Sequence, residues 1–220
     1  MSSTLTTSAC QVEWFTLEQS YESVYQRQKQ WVAQRIADDI PDTLLVGEHA
    51  STITLGRGTE DKHLKKAGFS LFSVERGGSV TYHGPGQLVV YPILKLQPDE
   101  RDLHQYLRNL EEVIILTLAE FGLEGTRNPG WTGVWVGEKK IASIGVAVKQ
   151  WVTYHGLALN IATDLSHFES IQPCGLPSET MTSMEALLNL SINQQVVTQL
   201  LLKHFERVFQ RSLTESKRPN

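Results

Sequence analysis

The 220-residue chain is 40% hydrophobic and 20% charged, with a net charge of −4 at pH 7 and a sequence pI near 6.0. That length suits one domain with a full core, and the acidic balance excludes a general nucleic-acid binder, though not a local basic patch for an acidic partner. No apolar run approaches the roughly 20 residues that span a bilayer, and MSSTLTTSAC lacks the charged region and apolar core of a secretory leader, so a reducing cytoplasm is expected.

In chain order, CQVEWFTL reads as a first strand. YESVYQRQKQWVAQRIAD then sets Tyr21, Val24, Tyr25, Trp31, Val32 and Ile36 near one face of a helix, which Pro41 ends. DTLLVGEHASTITLGRG gives two short β-rich runs around a Gly-Glu-His turn, and FSLFSVERGGSVTYHGPGQLVVYPILKL gives three strands punctuated by Gly77-Gly78 and Gly84-Pro85-Gly86. A second helix is expected after Pro98, with its N-cap at Asp99, a stripe from Leu103 to Phe121 and a stop at Gly122. GVWV and KKIASIGVAV flank Gly137-Glu138, the composition of a two-residue type II′ hairpin, and WVTYHGLALNIA completes a three-strand meander. Small helical pieces around Ser183 to Leu190 precede a final amphipathic helix carrying Val196, Val197, Leu200, Leu201, Phe205, Val208 and Phe209. Strands and helices are segregated, which predicts an α+β fold with a mixed, largely antiparallel sheet. No repeat or linker divides the chain, so residues 1–220 are expected to form a single catalytic domain, with about 1–9 and 214–220 disordered.

Four stretches can carry chemistry. In RGGSVTYHGPGQ, Gly77 and Gly78 let backbone approach a ligand closely, and His83 stands at a strand end beside a tight turn. A plain glycine hairpin with a surface histidine explains the same residues, and neither a P-loop nor a dinucleotide fingerprint is present. In GEKKIASIG, Lys139 and Lys140 point to opposite faces of a strand, while Ala142, Ser143 and Gly145 leave space above it; two solvated lysines are the simpler alternative. TYHGLALN repeats a His-Gly pair at His155, a residue type more often structural than catalytic. The chain has two cysteines, too few for a disulfide framework or a zinc site, so no metal and no cofactor are expected. Cys174 lies between Pro173 and Gly175, a turn that exposes a thiol; a nearby cation such as Lys140 would favour its thiolate, although free cysteines are often inert core residues.

Taken together, RGGSVTYHGPGQLVVYPI, GVWVGEKKIASIGVAV, YHGLALNI and PCGL, in that order and preceded by ITLGRG, resemble the lipoyl(octanoyl) transferase family. The resemblance covers most of the chain and implies the biotin/lipoate protein ligase fold, with a mixed main sheet, a smaller sheet and flanking helices. It implies transfer of an octanoyl group from octanoyl-acyl carrier protein, through a thioester on Cys174, to a lysine of lipoyl domains. Those acceptors are the lipoyl domains of 2-oxo-acid dehydrogenase complexes and the glycine-cleavage H protein, with Lys140 as acid/base partner of the cysteine. Substrate binding is expected at Arg76, Gly77, Gly78, Ser79, Val80, Thr81, Tyr82, His83, Ala142, Ser143, Ile144, His155, Gly156 and Leu157. Gly77, Gly78 and the backbone after Lys140 are expected to stabilise oxyanions, and Ala142, Gly145, Tyr82, His83, His155 and Leu157 to shape an apolar slot. Burying about seven methylenes at ~0.8 kcal/mol each gives roughly 5 to 6 kcal/mol before ordering costs. Arg57, Lys62, Lys65, Lys66 and Lys149 are candidate members of a basic rim for the acidic carrier. The alternatives are an ATP-dependent lipoate or biotin ligase, a lipoyl-domain amidotransferase, or a non-catalytic carrier-binding or redox-sensing protein.

Overall fold

A computed structural model describes residues 8–60, 63–64 and 68–216, with the main chain alone at Cys174. In chain order the elements are β1 (Ser8–Phe15), α1 (Tyr21–Ile36), β2 (Asp42–Gly47), β3 (Thr52–Leu55), β4 (Ser70–Ser73), β5 (Val80–His83), β6 (Gln87–Ile93) and α2 (Leu103–Ala119). They continue with β7 (Thr126–Asn128), β8 (Trp131–Val136), β9 (Lys139–Lys149), β10 (Val152–Asn160), α3 (Met184–Leu188), α4 (Gln194–Phe209) and β11 (Arg211–Glu215). An eight-stranded sheet runs β11-β1-β2-β6-β10-β9-β8-β7, and a three-stranded sheet runs β4-β3-β5. In the large sheet only β11–β1 and β1–β2 are parallel, so the expected α+β architecture with a mixed, largely antiparallel main sheet and a smaller one is observed.

Strand alternation sends neighbouring residues into different layers. On β2 and β6, Leu44, Val46, Leu88 and Val90 pack beneath α2 and α4, against Leu110, Ile114, Leu201 and Phe205. Their neighbours Leu45, Val89, Tyr91 and Ile93 face α1, meeting Val24 and Val32. A third cluster joins the small sheet, through Ile53, Val80 and Tyr82, to Phe168, Ile171 and Met181 of the segment leading to and from Cys174.

Local details depart from expectation where a competing interaction wins. Residues Pro98–Glu100 form a separate 3-10 turn, and α2 is capped instead by Asp102, whose carboxylate accepts from the N–H groups of His104 and Gln105. Ser8 and Ala9, and Thr214 and Glu215, counted among disordered ends on sequence, are strand residues because β11 pairs with β1 in parallel from Ser8↔Arg211 to Val12↔Glu215. Val196, expected on the buried stripe of α4, is exposed, while Leu202 is buried in its place. Gly137 takes φ 57 while Glu138 keeps negative φ, in keeping with the II′ hairpin, but the next turn differs: Gln150 and Trp151 both take positive φ, 48 and 63, so β10 starts at Val152.

Candidate active site

Lys140 is 2% exposed, whereas Lys139 beside it is exposed. A β-bulge decides where Lys140 lies: Trp135 pairs with Lys140 but the preceding Val134 pairs with Ala142, so Ile141 is the extra residue on β9. Bulges re-aim side chains in this way next to active sites. The Lys140 ammonium stands 5.9 Å from the centroid of the Trp135 ring. Its aliphatic stem runs over Gly133, where an added Cβ would stand 2.8 Å from Lys140 Cε and 2.4 Å from the Ala142 carbonyl oxygen. Gly133 also has φ 131, a conformation that side chains other than hydrogen disfavour. Its N–H is held at 3.1 Å by the carboxylate of Glu111, a fully buried residue of α2 that also accepts from Arg108 (2.6 Å) and Arg127 (3.1 Å). Two arginines and one peptide N–H offset the cost of burying that carboxylate.

The Arg76–Ser79 loop lies across β9. Arg57 and Gly58 N–H donate to the carbonyls of Arg76 and Gly78 at 3.1 and 2.9 Å, zipping the ITLGRG and RGGS stretches together. The buried Arg76 guanidinium donates to Thr54 O and Oγ1, both at 2.9 Å, and to Gly77 O at 3.0 Å. Gly77 N–H donates to Val146 O at 2.9 Å, which docks the loop onto β9 beside Gly145. A Cβ on Gly145 would meet Gly77 O at 2.9 Å, so the close approach depends on that glycine.

The 3-10 turn Pro173–Gly175 carries Cys174. Upstream, Gln172 N–H donates to His63 O at 2.9 Å, and Ile171 bridges to Leu64. Downstream, Met181 bridges in parallel to Lys140, and Thr182 N–H donates to Lys140 O at 3.0 Å. A buried polar chain braces this junction: His83 pairs with Gln87 (2.8 Å), Gln87 Nε2 donates to Asn160 Oδ1 (2.9 Å), and Asn160 Nδ2 donates to Thr182 O (3.0 Å). The segment bearing Cys174 is therefore tied to the strand bearing Lys140.

Two spaces flank the loop and share Gly78, Ile144 and Gly145 in their walls. One is an open groove of about 510 Å³, walled by Lys140 and Ser79 and by apolar Leu103, Leu107, Trp131 and Val146. The other is a narrower space beside Arg76, Thr81, His83, Ser143, His155, Gly156 and Leu157. Burial drives the histidines around it to the neutral form, His83 to about 4 and His155 to about 3, with the Arg76 charge adding to the effect; His49 is also lowered well below its usual range. His155 has φ 55 in the middle of β10, and its N–H is held at 2.9 Å by Gln28 Oε1 from α1.

Of the residues singled out on sequence, Lys140, Gly77, Gly78, Ser79 and Ile144 line the groove, and Arg76, Thr81, His83, Ser143, His155, Gly156 and Leu157 line the small cavity. Ala142, Val80 and Tyr82 line neither: Ala142 is in the core under α2, and Val80 and Tyr82 are in the small-sheet core, where the Tyr82 hydroxyl bonds Ser51 and His167. Arg57 is in the groove wall and Lys149 is exposed, while Lys62, Lys65 and Lys66 lie outside the described residues. Glu111, Gln87, Asn160 and Gln28 escaped sequence reasoning. Only Gln28 left a signal, as a polar residue among the apolar positions of α1.

A family profile described as lipoyl protein ligase A/B catalytic domain matches residues 20–206. The chain belongs to this lipoyl protein ligase A/B family. Among curated relatives, an octanoyltransferase of Solibacter usitatus is 48% identical over 197 residues, covering 86% of this chain and 88% of the relative. An octanoyltransferase of Gloeobacter violaceus is 47% identical over 192 residues, covering 86% of each. Among solved structures, the bi-partite lipoate protein ligase of Thermoplasma acidophilum matches with a TM-score of 0.72 at 16% identity, over 95% of this chain and 86% of that one. The Aquifex aeolicus biotin protein ligase with biotin and ATP matches with a TM-score of 0.57 at 15% identity, over 90% and 70%. These likenesses establish the lipoate/biotin protein ligase fold for the chain.

Proposed function

We propose that this member of the lipoyl protein ligase A/B family is a cytoplasmic octanoyltransferase that moves an octanoyl group from octanoyl-acyl carrier protein to a lysine of lipoyl domains, by way of a thioester on Cys174. One observation carries the mechanistic reading: Lys140, buried in the groove wall, is tied through Met181 and Thr182 to the segment that carries Cys174. The names of the relatives support the acyl group.

In this reading the Lys140 ammonium favours the Cys174 thiolate, which attacks the donor thioester carbonyl. The new C–S bond forms, the tetrahedral intermediate collapses, and the carrier thiolate leaves with a proton from Lys140. The neutral lysine then takes a proton from the incoming amine as that amine attacks the acyl-enzyme, giving an amide and returning Cys174 to the thiolate. Thioester exchange followed by amide formation runs downhill and requires no nucleotide. The acyl chain lies at the residues expected from the sequence, where the groove beside Lys140 and the space beside Arg76, His83, Ser143, His155 and Leu157 share Gly78, Ile144 and Gly145 in their walls.

Mixing the protein with octanoyl-acyl carrier protein in the absence of ATP tests this. The expected result is an octanoyl adduct on Cys174 that hydroxylamine removes and a lipoyl-domain lysine consumes. Cys174→Ala and Lys140→Ala should each lower transfer by at least 100-fold while donor binding survives. A strict requirement for ATP would sink the reading, and wild-type transfer by Lys140→Ala would sink the dyad.

A further inference from the structure

An oxyanion forms twice in the reaction just described, and the turn holding the cysteine has few donors to offer it. Gly175 N–H already donates to Gln172 O at 3.0 Å, and Leu176 N–H to Pro173 O at 3.0 Å. Gln172 N–H is taken by His63 O, and Gly77 N–H, one of the donors expected from sequence, is taken by Val146 O. Beside the main-chain groups, one side chain is oriented to supply a donor.

That side chain is His63, which is 6% exposed. Its main-chain carbonyl accepts from Gln172, and its Nε2 lies 3.9 Å from where a Cβ on Gly175 would stand, so both halves of the residue face the Cys174 turn. The other ring nitrogen is occupied. Glu60 N–H donates to His63 Nδ1 at 3.0 Å, and Ser79 Oγ stands 2.8 Å from the same atom. A peptide N–H can only donate, so Nδ1 is the bare acceptor and the ring proton resides on Nε2. The tautomer is thus fixed by the Glu60 peptide, and the N–H is aimed at the turn. Ser79 also lines the groove with Lys140, so the imidazole spans from the groove wall to the turn at Gly175.

We propose that His63 Nε2–H donates a hydrogen bond to the oxyanion formed when the Cys174 thiolate adds to the thioester carbonyl. The sulfur forms a bond to the carbonyl carbon, the π pair moves to oxygen, and His63 stabilises that charge without giving up its proton. When the pair returns, the carrier thiolate leaves and the hydrogen bond weakens. This rests on Cys174 being the nucleophile.

Single-turnover acylation by octanoyl-acyl carrier protein, followed by intact mass, tests it in the full-length protein. Removing one oxyanion donor lowers the rate by roughly 10²–10³, so His63→Ala and His63→Asn should acylate about 100-fold more slowly. His63→Gln places an amide N–H near the position of Nε2 and should recover at least tenfold of that loss; the Asn amide reaches only the Nδ1 side. Alkylation of Cys174 by iodoacetamide involves no carbonyl oxyanion, so its rate and pH profile should stay unchanged across the series. Wild-type acylation in His63→Asn, no recovery in His63→Gln, or alkylation falling in step with acylation would each overturn the inference. Should His63→Ala not fold, the Gln and Asn variants alone decide. Failure of the nucleophile reading is separately visible as transfer by Cys174→Ala.

Discussion

The position of Lys140 depends on a hydrogen atom on the next strand. Because a Cβ at Gly133 would intrude on Lys140 Cε and on the Ala142 carbonyl, and because φ is 131 there, Gly133→Ala strains the backbone and displaces the ammonium together. We expect a loss of about 2 kcal/mol in unfolding free energy. We also expect kcat to fall at least tenfold with KM changed less than threefold, since the ammonium, not the groove, is moved. Steady-state kinetics beside a urea melt checks both, and an unchanged kcat would show that Lys140 does not need this cradle. Cys10 can be read in the same physical terms. Cys10 is fully buried, and burial with Asp42 nearby raises its thiol to about 12, so it stays protonated and inert among core side chains. A cysteine count gives no hint that Cys10 is buried in the core.

At the scale of elements, α1 and β10 are joined by a bond that repeats of apolar residues do not announce. His155 takes φ 55 while its pairing with Val146 of β9 continues, and its N–H is satisfied by Gln28. A non-glycine residue in this conformation costs on the order of 1–2 kcal/mol. Gln28→Leu would leave that N–H buried without a partner and should lower stability by about 1–3 kcal/mol. The urea midpoint should fall with an unchanged m-value, and an unaltered midpoint would mean another group satisfies His155. The meander, the II′ turn at Gly137 and the helices were legible in sequence because periodicity and turn chemistry are local. Alternation alone left Lys140 as one of two lysines, and the family resemblance singled it out; the bulge at Ile141 that directs it is set by pairing with β8. Glu111 reads as one more charge on α2, and nothing local says that it is buried against Gly133 from a strand 22 residues on. The same holds for Gln87 and Asn160, quoted within motifs yet assigned no role until Thr182 is seen against them.

Across the whole molecule, burying so many uncharged histidines makes stability depend on pH in a window that carboxylates leave alone. His83 and His155 take up protons near pH 6.5 in the unfolded chain, but in the folded protein only near 4 and 3, with His49 lowered as well. Between those values the unfolded chain binds more protons, so stability rises with pH there. The contribution is fully present above pH 6.5 and is lost as pH falls toward 4. The carboxylates whose folded values are lowered, Asp38, Glu100 and Asp164, add the same sign but act below their ordinary range near 4. A decline that begins between pH 6.5 and 5 therefore belongs to the histidines. Urea midpoints measured from pH 7.5 to 4.5 should fall through that interval, and His155→Phe, which keeps a ring but cannot take a proton, should flatten the decline. Equal slopes in the two proteins would mean that His155 is protonated before the fold opens, and that the chamber beside Arg76 admits a second charge.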